Sequence, residues 1–162
     1  MSEQLPAHDI SQITEYLYIS AFPAEHHADE IIALNIRLIL SMHWLRPNSK
    51  LNERPLRIMW LPTIDTPFTP MPVSMLRKGV EAALPVIDEG YAVLSHCKAG
   101  VHRSVAMASC VLIARGYTAD EAMALIIEKR PVADPHAAHI EKRIRKFERI
   151  WREEHPRDAS VS

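Results

Sequence analysis

Nine consecutive residues, His96-Cys97-Lys98-Ala99-Gly100-Val101-His102-Arg103-Ser104, constrain this chain more than any other stretch. The apolar run Tyr91-Ala92-Val93-Leu94 precedes them, and a helix-forming run, Val105 to Arg115, follows. The pattern is a strand, a tight loop and a helix. In that arrangement the loop's backbone N–H groups and the helix N-terminus converge on one point and make an anion site. An oxyanion held there would sit over the Cys97 sulfur. The stretch therefore points to a thiolate nucleophile inside a phosphate cradle.

The flanking sequence alternates strand-like and helix-like patterns. Tyr16-Leu17-Tyr18-Ile19 reads as a short strand, Ala28 to Asn35 as a helix, and Arg37-Leu38-Ile39-Leu40 as a buried strand. Residues 43–55 read as a loop, and Leu56 to Ile64 as a further strand ending at Asp65-Thr66-Pro67. Val73 to Glu89 is helical in pattern, with Pro85 expected to kink or split it and Gly90 to end it. Gly116 closes the helix after the loop, and Thr118-Ala119-Asp120-Glu121 is a capping box for the next one. Asp134-Pro135 reads as the N-cap and first position of a last helix that runs to about Glu154. Alternation of this kind predicts an α/β fold with a mostly parallel central sheet flanked by helices. Sites in such sheets form beyond the carboxyl ends of strands, where Cys97 stands. Residues 10–155 are read as one catalytic domain, with 1–9 and 156–162 as short tails.

A cysteine attacks well only as its thiolate. The helix dipole, the amides of residues 98–103 and the Arg103 charge all favour that form of Cys97. Arg103 also grips two phosphoryl oxygens with its planar fork, a geometry that lysine lacks. Lys98, Ala99, Gly100, Val101 and His102 complete the expected substrate cradle. Ser104 is positioned to donate to the sulfur as it leaves, and His96 to fix the loop by hydrogen bonding. Lys98 and His102 would make the pocket mouth basic if turned inward, but both are read as facing solvent.

His96-Cys97-x5-Arg103-Ser104 resembles the signature loop of the cysteine-dependent protein tyrosine phosphatases, in its dual-specificity branch. Ile13 to Ile19, Asn35 to Leu40 and Lys129-Arg130-Pro131 resemble flanking segments of that branch. The resemblance implies a protein-tyrosine-phosphatase-like fold. It implies hydrolysis of phosphotyrosine, and of phosphoserine or phosphothreonine in proteins, through a cysteinyl-phosphate intermediate without cofactor or metal. It also implies an aspartate general acid on a loop after an earlier strand. Asp65 follows such a strand, 32 positions before Cys97 (97 − 65). Two positions depart from the branch: His136 and Lys142 stand where asparagine and glutamine are common.

Other readings are weaker. A phosphoinositide or other non-protein phosphatase is compatible with Lys98-Ala99-Gly100. A phospho-binding module has no use for the intact Cys97, Arg103 and Asp65 set. A thiol redox enzyme would use Cys110 to resolve an oxidised Cys97, but Cys110 lies roughly 9 Å along the helix at ~1.5 Å per residue. His26-His27 and His136-x-x-His139 offer imidazoles without a completing cysteine or acidic cluster, so they are read as solvated and no metal is expected. Arg46, Lys50, Arg54 and Arg57 are read as a solvated basic loop. The formal net charge of −1 gives no sign of a nucleic-acid partner. The longest clean apolar run, Val105 to Ala114, is too short to span a bilayer. Two cysteines, and an N-terminus without a basic and apolar leader pattern, suggest a reducing, cytoplasmic setting. The oligomeric state is open, and the expected partner is a phosphorylated protein or small phosphomonoester.

Overall fold

The computed structural model describes residues 8–156, so of the expected tails 1–9 and 156–162 all but residues 8, 9 and 156 lie outside the described residues. Five strands form one sheet: β1 (Ile10–Thr14), β2 (Leu17–Ser20), β3 (Ile36–His43), β4 (Arg57–Thr63) and β5 (Ala92–His96). Their order is β1-β2-β5-β3-β4. Only the edge strand β1 is antiparallel, to β2; the other pairings are parallel. β1 was not separated from its neighbour in the sequence pattern, because its residues are mostly half-buried and lack a clean alternation.

The central strands are apolar on both faces, as buried parallel strands must be. Leu38 and Leu40 of β3 face a large core beneath α2 (Val73–Asp88), α3 (Arg103–Ala114), α4 (Ala119–Lys129) and α5 (Ala138–Glu154). Ile39 and Leu94 face a smaller core on the other side, closed by Ile31 of α1 (Ala28–Ala33) with Leu51 and Leu56. Helix α3 is buried at every residue from Arg103 to Ile113, so it is held by packing all round. Ser20, His96 and Ser41 share one register line at the carboxyl ends of β2, β5 and β3. The loop carrying Cys97 leaves the sheet from that line.

Two expectations are corrected here. Helix α2 is a single helix through Pro85. Proline removes one hydrogen bond to the carbonyl four residues back, and both Pro85 and Glu81 are exposed, so water meets that carbonyl. Helix α5 begins at Ala138, not at Asp134-Pro135. The Asp134 amide is committed to the Val101 carbonyl at 2.9 Å, which ties this segment to the Cys97 loop before the helix can start. The capping box at Thr118 and Glu121 forms as expected, with both bonds at 3.0 Å.

Candidate active site

Peptide planes in the Cys97 loop are oriented by what holds their carbonyls. The Lys98 carbonyl accepts from the Phe22 amide at 3.0 Å, and the Val101 carbonyl from the Asp134 amide at 2.9 Å. The carbonyls of Ala99 and Gly100 accept from Arg130, at 3.0 and 2.8 Å. With four successive carbonyls drawn outward, the trans peptide geometry turns the following amides inward, toward the Cys97 pole. Gly100 makes the turn with φ +69°, where a Cβ would lie 2.7 Å from the Ser20 carbonyl oxygen. Helix α3 starts at Arg103, so its N-terminus faces the same point.

Cys97 is buried, and its sulfur lies 3.2 Å from the Ser104 hydroxyl. Burial pushes the thiol up, but bonds from the Ser104 side chain and amide, the Arg103 charge and the Gly100 amide outweigh it. The net pKa is below that of an ordinary thiol. Arg103 is also buried and anchors one terminal nitrogen on the Thr63 carbonyl at 2.8 Å. Its Nε is buried with no protein partner among the described residues. His96 is fully buried, with Nδ1 3.1 Å from the Cys97 carbonyl, and desolvation lowers its pKa to about 4. Neutral His96 therefore donates to the base of the loop without adding charge. Cys110 is wholly buried and its thiol is raised well above the usual value by desolvation, which withholds the thiolate that a resolving cysteine needs.

Asp65 stands on the loop after β4, beside the same cleft. One carboxylate oxygen lies 2.7 Å from His102 Nδ1, and the other 2.7 Å from His139 Nε2. Partial burial raises this carboxyl, yet the bonds from His139 and His102 and the charges of His102 and Arg103 prevail, so its pKa is lowered. His102 is thus turned onto Asp65 rather than outward, and its Nε2 lies 3.4 Å from Asp134. His139, expected to be solvated, is the second arm of that clamp, while His136 pairs with Glu141 at 2.6 Å. Spacing along the chain did not foretell the clamp, because its parts come from three distant segments.

A cleft of about 540 Å³ opens over the loop, with His43, Asp65, Lys98 and Arg103 as its polar wall. Its other lining residues, Phe22, Trp44, Leu45 and Ile64, are apolar. Trp44, Leu45 and Ile64 are exposed, and so is Phe68 on the segment after Asp65. Desolvation, then the charges of Arg103 and Lys98, lower the pKa of His43. From the basic loop, Lys50 pairs with Glu25 at 2.7 Å and Arg46 stacks over Trp60 at 4.6 Å. Arg130, the buried residue that orients the loop, stood in the sequence only as part of Lys129-Arg130-Pro131, with no role assigned to it. Its guanidinium also meets Ser11 at 2.9 Å and Asp9 at 2.9 and 3.1 Å.

The dual specificity phosphatase catalytic-domain profile matches residues 17–150. The chain belongs to the dual specificity phosphatases. This dual specificity phosphatase is similar in structure to a mouse dual specificity phosphatase complexed with zinc tungstate, with a TM-score of 0.84 at 20% identity over 98% of this chain and 99% of that one. It is similar to PTPMT1, with a TM-score of 0.81 at 21% identity over 92% and 99% of the two chains. Human DUSP28 aligns with a TM-score of 0.80 at 19% identity over 93% and 99%. At these identities the likenesses concern the fold, which is the expected α/β phosphatase architecture. No curated protein sequence matches the chain. Among the described residues no helix is long and apolar enough to cross a membrane.

Proposed function

We propose that this phosphatase works through Cys97 as nucleophile and Asp65 as proton donor, within one catalytic domain at residues 10–155. The observation that carries the reading is the buried Cys97 sulfur, facing inward-turned amides and the unpartnered Nε of Arg103. The Cys97 thiolate attacks phosphorus, and the bond from phosphorus to the leaving oxygen breaks. Amides of the loop from Lys98 to His102 and the Arg103 fork hold the three non-bridging oxygens as charge spreads onto them. Asp65 gives its proton to the leaving oxygen, which requires one of the two histidine contacts on its carboxylate to open. Water then attacks the phosphocysteine with Asp65 as base, and the Ser104 hydroxyl donates to the departing thiolate. His96 supports the loop from beneath.

The substrate class is a phosphorylated protein side chain, phosphotyrosine and phosphoserine/threonine alike. A non-protein phosphomonoester such as a phosphoinositide is the second reading, favoured by the apolar rim of Trp44, Leu45, Ile64 and Phe68 around the cleft. PTPMT1 has been solved in complex with PI(5)P. A reducing, cytoplasmic setting suits a catalytic thiolate, and the near-neutral charge suits a partner other than nucleic acid.

The deciding experiment is phosphate release from a small aryl phosphate with chelator present, for wild type beside Cys97→Ser and Asp65→Asn. Cys97→Ser should abolish turnover. Asp65→Asn should lose about 10²–10⁴-fold on poor leaving groups and much less on good ones. Turnover that survives Cys97→Ser, or an Asp65→Asn loss independent of the leaving group, refutes the respective assignment.

A further inference from the structure

Asp65, His102 and His139 come from the loop after β4, the Cys97 loop and the first turn of α5, yet they share one point. One ligand atom from each lies within 4.8 Å of those from the other two. The Asp65 oxygens are 2.7 Å from His102 Nδ1 and from His139 Nε2, and the two rings meet edge to face at 5.4 Å.

We propose that this triad is a binding site for a divalent cation of the zinc class, and that an ion held there switches the phosphatase off. Two imidazole nitrogens and one carboxylate oxygen are a donor set that zinc takes at about 2.0–2.2 Å, with a fourth position left for water. Ligand atoms around such a tetrahedron stand about 3.4 Å apart at those bond lengths. The two Asp65–histidine contacts are shorter than that value at 2.7 Å, and all three ligand atoms lie within 4.8 Å of one another, so side-chain rotations suffice to reach it.

A second observation supports the site. Asp134 Oδ2 lies 3.4 Å from His102 Nε2. A histidine that ligates a metal commonly donates its other ring N–H to a carboxylate, which fixes the tautomer and leaves the first nitrogen's lone pair for the ion. Asp134 is placed to serve His102 in this way, with Nδ1 facing the triad. Two carboxylates, Asp65 and Asp134, belong to or touch the cluster, while Arg103 and Lys98 are the cations on the adjoining cleft wall. The three ligand side chains are 20–31% exposed, which leaves a route for the ion.

The inhibition rests on the reading of Asp65 as proton donor. An ion on Asp65 occupies the lone pair that must hold the proton, and pins the aspartate to α5 and to the Cys97 loop. Binding and inhibition are therefore tested separately. Full-length Cys97→Ser removes the thiolate that could itself take zinc. Titrated with zinc chloride by calorimetry and by competition with a chromophoric chelator, it should bind one ion. His139→Gln keeps a hydrogen-bonding group near Asp65 but offers no imidazole, and should weaken that binding at least tenfold. Asp134→Asn should weaken it by about 10–100-fold. Circular dichroism shows whether each variant is folded, and His102→Gln is the alternative should His139→Gln not fold. In the wild type, zinc should suppress turnover and chelator restore it, with the inhibition constant raised in parallel by Asp134→Asn.

No saturable binding to Cys97→Ser below about 100 µM, or binding indifferent to the folded histidine variants, overturns the site. Specific binding with turnover unchanged at saturation overturns the switch while leaving the site. Should Asp65→Asn also retain full turnover on poor leaving groups, the fault lies in the assignment of Asp65 as the acid.

Discussion

Replacing Arg130 by Met separates the support of the loop from its chemistry. Arg130 is 1% exposed, and its guanidinium holds the carbonyls of Ala99 and Gly100. Methionine fills most of the stem's volume, so the cavity contribution is small and the loss is chiefly in the two loop bonds, with the bond to half-buried Ser11 adding less. Hydrogen bonds to a charged donor contribute about 1.5–3 kcal/mol each, and the carbonyls left behind lose their only charged partner, so about 3–5 kcal/mol is expected. The Asp9 side chain is 63% exposed and recovers its hydration when released, so that ion pair contributes less than about 1 kcal/mol. For a chain of this size the loss corresponds to a melting point lower by about 6–20 °C. Urea unfolding monitored by circular dichroism measures it, with Asp9→Asn as the control for the ion pair. Phosphate affinity, read by calorimetry on the folded Cys97→Ser background, should fall as well, because the carbonyls of residues 99 and 100 no longer hold the amides inward. A Arg130→Met midpoint within about 1 kcal/mol of wild type refutes the argument, as does an Asp9→Asn loss of equal size.

Three further outcomes follow from other parts of the structure. His96 is neutral and buried with its pKa near 4 against 6.5 unfolded, so its share of stability is complete above pH 6.5 and is lost as pH falls toward 4. That share is about 3 kcal/mol, and His96→Gln should flatten the slope of unfolding free energy over that window; an unchanged slope contradicts it. Gly100→Ala places a Cβ at positive φ and 2.7 Å from the Ser20 carbonyl oxygen, so it should cost more than about 2 kcal/mol and weaken oxyanion binding. Wild-type affinity for vanadate would argue against that constraint. Thr118→Ala removes one bond of the α4 capping box and should cost about 1 kcal/mol in thermal unfolding, with no change in turnover on aryl phosphates.

Much of the architecture was legible along the chain because its signals are local. Continuous apolar runs marked β3 and β5, and the capping box marked α4 to the residue. The misreadings fell where the surroundings in the fold, a distant contact in one case and open solvent in the other, overrode a local preference. Asp134-Pro135 has the chemistry of a helix start, but the Asp134 amide ties this segment to the Cys97 loop at Val101 and the helix opens only at Ala138. Pro85 has the chemistry of a helix break, but α2 runs through it, with Pro85 exposed in its last turn.

The site divides along the same line. Cys97, Gly100, Arg103 and Ser104 lie within eight residues, so a strand, a turn and a helix start are enough to bring thiol, amides and guanidinium to one pole. The sequence by itself therefore determined the loop around Cys97 on which the proposed chemistry rests. Tertiary structure alone decided how that loop is held and what stands beside it. Arg130 reaches the loop from the end of α4, and His139 reaches Asp65 from α5 across 74 positions of chain. Such partners are chosen by where the sheet and its helices pack, and no spacing between neighbours in sequence encodes them.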